Sequence, residues 1–202
     1  MNGEEEIWIG ADPGGKGNFG IAVLTGRNHQ LTSSVDYTDE AVSFVRQHID
    51  KAPSGIGIDA PLWWASGQSG DRYADQWLRQ KYGLSSGEVQ AANSLRGAVL
   101  IQGAIFVQRM RELYPAVPVT ESHPKALLKV LTQGNWEEFA VRFGLKAIST
   151  NDHERDALIA AISAREGFQK RWPTDLSKRR LPSEQDPDSY WLAPVYYYWP
   201  EE

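Results

Sequence analysis

Apolar residues along this chain follow two periods in alternation. Short runs at Ile7 to Asp12, Phe19 to Leu24 and Gly55 to Asp59 are apolar or glycine almost throughout, which predicts buried strands. Gln30 to Val35 fits a further strand, set off by the turn signal Gly26-Arg27-Asn28, and with Ile7 to Asp12 and Phe19 to Leu24 it reads as an antiparallel meander. A helical period follows from Thr38 or Asp39 to about Asp50, with Ala41, Val42, Phe44, Val45 and Ile49 on one face. Helices are predicted again over Asp71 to Tyr82 and, longest of all, Ser94 to Tyr114. Pro115 and Pro118 frame a brief strand that ends at Glu121, and Pro124 opens a helix through Leu131. Trp136 to Phe143 is a short helix closed by Gly144, and Asn151 with Glu154 approximates a capping box for a helix to about Glu166.

Strands that alternate with helices after a meander predict an α/β domain. The 202 residues suit one domain, with Gly167 to Glu202, rich in proline and charge, as an extension packed on it. No run approaches a membrane span, and the acidic start Met1-Asn2-Gly3-Glu4-Glu5-Glu6 lacks the regions of a signal peptide, so a cytoplasmic setting is expected. The absence of cysteine excludes disulfides, thiolate zinc sites and cysteine nucleophiles. A formal net charge of −5 speaks against non-specific DNA binding, yet leaves room for a nucleic acid engaged through metal ions.

The chemistry concentrates on one helix. Asp152, His153 and Asp156 open a segment that is otherwise apolar nearly all round, and a buried carboxylate needs a partner. Asp152 also fits the bland role of an acid at a helix start, whereas Asp156 lies beyond the reach of that argument. Asp12, Asp59 and Glu121 each end a predicted strand, and ligands of α/β sheets collect beyond the carboxyl ends of strands. Carboxylates from several elements suit Mg²⁺ or Mn²⁺, and a neighbouring histidine favours manganese over calcium. Asp12 and Asp59 also suit turns before Pro13 and Ala60-Pro61, and His153 alone suits a surface position.

Other chemistries fit less well. Gly10, Gly15 and Lys16 have the spacing of a phosphate-binding P-loop, but Gly17 replaces the required hydroxyl and a strand follows instead of a helix. A looser similarity to ATPases of the actin and sugar-kinase type keeps a nucleotide-dependent phosphotransferase as an alternative, alongside a non-catalytic binding domain. No nucleophile elbow surrounds the loop serines, and the histidines at 29, 48, 123 and 153 lack zinc spacing. Lys16, Arg72, Arg79, Lys125 and the cluster Lys178-Arg179-Arg180 are candidates to meet phosphates, or are solvated surface charges. Tyr196-Tyr197-Tyr198-Trp199 suits base stacking, edge packing or a homodimer seam.

Several segments together resemble the domain-of-unknown-function family number 429, described as predicted nucleases with a ribonuclease H-like fold. They are Ile9-Gly10-Ala11-Asp12, Gly57-Ile58-Asp59-Ala60-Pro61-Leu62, Arg72 with Asp75, Thr120-Glu121-Ser122-His123-Pro124 and Asp152-His153-Glu154-Arg155-Asp156-Ala157. The resemblance implies a mixed five-stranded sheet with flanking helices and an acidic divalent-metal site hydrolysing phosphodiesters of a nucleic acid. In that reading Asp12 bridges the ions, Asp59 and Asp156 complete them, Asp152, His153 or Glu121 supplies the rest, and Lys16 and Arg72 hold the phosphate. His153 stands where the family pattern has a second acid, which leaves Asp152 and His153 as competing ligands.

Overall fold

The computed structural model describes residues 5–26, 29–146, 151–185 and 191–201. The Arg27-Asn28 part of the predicted turn and the first four residues of the acidic start lie outside them. The sheet is built from β1 (Ile7–Asp12), β2 (Phe19–Thr25), β3 (His29–Val35), β4 (Gly55–Ile58) and β5 (Val119–Glu121), in the order β3-β2-β1-β4-β5. β1, β2 and β3 pair antiparallel, as the meander predicts, and β4 and β5 run parallel to β1. The helices are α1 (Thr38–His48), α2 (Tyr73–Tyr82), α3 (Gly97–Leu113), α4 (Pro124–Thr132), α5 (Trp136–Phe143) and α6 (Asp152–Phe168). The fold is thus α/β, with a five-stranded mixed sheet flanked by helices.

α6 lies across β1, β2 and β4, and the residues beneath it explain how closely it can approach. Gly10 pairs with Gly57, and Gly20 pairs with Asp12, so these glycines occupy neighbouring positions in the ladder. A Cβ on Gly10 would lie 1.8 Å from the Ala157 carbonyl oxygen, one on Gly57 1.8 Å from that of Ala160, and one on Gly20 2.0 Å from that of His153. The facing positions of α6 include Ala157, Ala160 and Ala161, all buried. Small residues on both sides therefore bring the helix backbone onto the sheet, which is the role an isolated strand glycine often signals. Side chains alternate along a strand, so Asp12, two residues after Gly10, emerges on the same face.

Two helix starts differ from expectation. α2 begins at Tyr73 rather than Asp71, because Arg72 has extended backbone and serves as its N-cap. The Asp75 carboxylate accepts from the Arg72 backbone N–H at 3.1 Å and from the same residue's guanidinium. α3 begins at Gly97 rather than Ser94, since Ala92–Ser94 form a 3-10 turn and Leu95 and Arg96 are extended. Asn151 caps α6 by accepting from the Glu154 N–H at 2.9 Å, but only half of the predicted capping box forms. The Glu154 carboxylate instead accepts from the Thr32 hydroxyl at 2.6 Å, tying the start of the helix to β3.

The C-terminal extension continues the sheet rather than merely covering it. The Tyr196 N–H donates to the Val119 carbonyl at 3.0 Å and the Glu121 N–H donates to the Tyr196 carbonyl at 2.8 Å. These bonds occupy the edge of β5, which would otherwise be open to pairing. Two short strands absent from the sequence reading, β6 (Thr174–Asp175) and β7 (Tyr198–Trp199), pair beside it. Of the roles open to the aromatic run, edge packing is the one seen within the chain. Tyr197 and Trp199 are buried, Trp199 Nε1 donates to the Tyr82 hydroxyl at 2.9 Å, and Tyr196 and Tyr198 stack on each other beside Phe168. Among the described residues no helix is long and apolar enough to cross a membrane.

Candidate active site

Three acids meet where β1 and β4 end beneath the start of α6. Asp12 is the last residue of β1, and Asp59 follows β4, its N–H donating to the Ala11 carbonyl at 2.8 Å. Asp156 sits in the second turn of α6 and is only 2% exposed. His153 Nδ1 donates to Asp12 Oδ2 at 2.7 Å, the tautomer that a carboxylate acceptor requires. Arg155 donates to Asp156 Oδ1 through Nε at 3.1 Å and its terminal nitrogen at 3.0 Å.

The Asp152 side chain is 77% exposed and paired with Arg155 at 2.8 Å, on the outside of the helix. Of the two competing ligands, therefore, His153 faces the acids and Asp152 does not. Helix geometry explains the choice: the helix start rests its His153 carbonyl on Gly20, beside Asp12, which leaves the preceding residue on the solvent side.

The acids are short of positive charge. Burial pushes the Asp59 carboxyl well above its ordinary range, and the neighbouring Asp12 and Asp156 push it further. Burial also raises Asp156 to about 6 against the pull of Arg155, with Asp12 adding to the rise. Asp12 is raised by burial and drawn back by His153, whose own pKa is raised by that hydrogen bond. Lys125, exposed in the first turn of α4, pulls all three acids downward.

Glu121 and Arg72 behave differently from their predicted roles. Glu121 receives Arg72 on both carboxylate oxygens at 2.8 Å and the Leu62 N–H on one of them. Arg72 is 4% exposed, divided between Glu121 and Asp75, with its guanidinium 4.3 Å from the centre of the Trp63 ring. Burial pushes Glu121 up to about 7 while Arg72 and the Leu62 amide pull against it. An arginine stays charged in any case, and its two-sided contact is that of an ion pair. Glu121 is consequently committed to Arg72, and four of the five guanidinium N–H groups of Arg72 are taken up by Glu121 and Asp75. Lys16, exposed on the glycine loop, does not line the cavity beside the acids.

That cavity has a volume of about 350 Å³ and is lined by Asp12, Asp59 and His153 on one side and by Arg72, Glu121 and His123 on another. Residues between Gly87 and Val99, from the irregular connection into α3, complete its wall. His123 has no histidine at metal-ligand spacing, so its sequence context carries no signal for it. Burial lowers its pKa to about 4, so the ring is neutral, and its Nδ1 is buried without a hydrogen-bond partner. Lys125 is one basic candidate among several in the sequence, with nothing to set it above Lys16 and Arg72; its place directly after Pro124, where β5 hands over to a helix start, is the signal that could have found it.

The chemistry of the donors fits a hard divalent ion, because three mutually repelling carboxylates gain most from a cation that takes oxygen ligands. As they stand, Asp12 is turned onto His153 and Asp156 onto Arg155, and among the described residues no three His, Asp or Glu side chains are grouped closely enough to hold an ion. Set against family models, curated proteins and solved structures, the chain matches none of them.

Proposed function

We propose that this chain is a divalent-metal-dependent nuclease of ribonuclease H-like type that hydrolyses phosphodiester bonds of a nucleic acid. The observation that carries the reading is the set of three under-neutralised acids, Asp12 and Asp59 at the carboxyl ends of two parallel strands and Asp156 on the helix that crosses them. The resemblance to the predicted nuclease family and the five-stranded mixed sheet support it.

Asp12, Asp59 and Asp156 would hold Mg²⁺ or Mn²⁺. Such ions, when bound, activate a water and stabilise the leaving oxygen of an in-line displacement. The chain supplies position. His153 orients the Asp12 carboxylate through Nδ1, and Arg155 fixes the rotamer of Asp156. Lys125 meets the negative charge of the phosphate, the task first expected of Lys16 and Arg72.

Pure protein incubated with labelled DNA, RNA and junction substrates in Mn²⁺ tests the reading. Cleavage should occur with at least one substrate and vanish in both Asp12→Asn and Asp156→Asn. Cleavage that survives in both variants overturns the assignment.

A further inference from the structure

The cavity beside the acids is divided by charge. Its buried lining holds Arg72, Asp75 and Glu121, one guanidinium bonded to both carboxylates. An anion gains nothing there. Its exposed lining holds Lys125 and Arg96, neither of which makes an ion pair within 4 Å to any described residue. Ala60, Pro61, Leu95 and Val99 supply apolar wall to the same cavity, and among the described residues His123 Nδ1, on its lining, is a buried polar atom without a partner.

From this division we infer that the cavity takes one nucleotide, its phosphate at Lys125 and Arg96 and its base inside against His123. The inference rests on the nuclease reading and names its substrate as a single nucleotide unstacked from its neighbours. The volume of about 350 Å³ lies at the lower end of the roughly 300–1,000 Å³ of small-ligand pockets. A duplex does not enter such a space, and a base reaches it only as a free nucleotide, from a single strand, or by extrusion. A neutral imidazole with one unsatisfied ring nitrogen suits the edge of a heterocycle, whereas an aliphatic ligand would leave that nitrogen unpaired at a cost.

Titration calorimetry of the intact protein without divalent metal tests this independently of cleavage. The probes are the four nucleoside monophosphates, inorganic phosphate, a single-stranded oligonucleotide and the same sequence as a blunt duplex. At least one monophosphate should bind about tenfold or more tighter than inorganic phosphate, and His123→Phe should remove about tenfold of that affinity, the worth of one hydrogen bond. Val99→Trp, which fills the cavity, should abolish the preference for nucleotide over phosphate. Single strand that displaces the nucleotide assigns it to a polynucleotide; failure of displacement assigns it to a free nucleotide, and either result supports the pocket.

Monophosphates that bind no better than phosphate, or duplex that competes as well as single strand, overturn the inference on the unmodified protein alone. Metal-dependent cleavage with no nucleotide preference would leave the nuclease reading standing and the pocket refuted. Nucleotide binding without cleavage would do the reverse.

Discussion

Two acidic corners lie side by side at the ends of β1, β4 and β5, and they are built on opposite principles. In the corner of Glu121 and Asp75, Arg72 satisfies both carboxylates, a tryptophan face covers the guanidinium, and almost nothing is exposed. In the corner of Asp12, Asp59 and Asp156, the nearest cations are an imidazole, an arginine shared with Asp152 and a lysine that makes no ion pair among the described residues. The first is electrically closed and the second is open. An acid at the end of a strand is therefore not a functional signal until its neutralising partner has been sought, and here that partner separates a structural glutamate from three candidate ligands.

Opening the closed corner should have the largest effect. Arg72→Met leaves two buried carboxylates without a counter-charge and is expected to cost about 3–5 kcal/mol. Urea unfolding with an unchanged m-value measures it, and a loss below about 1 kcal/mol would mean that the corner is not an ion-paired unit. Next is the geometry of the open corner. Gly10→Ala drives a Cβ into the Ala157 carbonyl, so α6 must lift; about 1–3 kcal/mol of stability and most metal-dependent cleavage should go together. Gly15→Ala, where an added Cβ meets nothing within 4 Å, is the matched control and should be close to neutral.

A smaller effect of opposite sign is expected inside the open corner. The folded pKa of Asp156, about 6, lies above its ordinary 3.8, so its contribution favours folding below pH 3.8 and is lost as pH rises through 6. Asp156→Asn should therefore gain on the unmodified protein between those limits, by on the order of 1–3 kcal/mol at pH 7. Melting temperatures of the two proteins at pH 4 and pH 7 give the test; a difference that does not change with pH refutes the charge conflict. Lys125→Ala should be the mildest for stability, within about 0.5 kcal/mol, while weakening cleavage at low substrate. A variant with unimpaired cleavage would remove Lys125 from the phosphate.

The sequence carried the backbone of this comparison further than its charges. Hydrophobic runs located β1 and α5 with the bounds observed, because buried strands and a glycine-stopped helix are written in local pattern. Asp156 was legible too, as an acid set directly before an apolar run. The pairing of Arg72 with Glu121 was not, since 49 residues separate them and nothing local distinguishes a buried arginine from an exposed one. β6 and β7, two residues each, are too short to leave a period of any kind. The choice of His153 over Asp152 depended on where α6 rests its backbone, and that is decided by glycines more than 130 residues earlier in the chain, Gly20 among them.

The crossing of α6 over Gly10, Gly20 and Gly57 also fixes what can yield when a substrate arrives. A helix seated by side chains can slide as rotamers change; this one is seated by its own carbonyl oxygens against main chain, and it has no rotamers there to change. The acids thus stand on the stiff jaw of a vice. The opposing jaw, residues 87–99, has only a three-residue 3-10 turn before α3 begins, so no helix-to-sheet contact of that kind seats it.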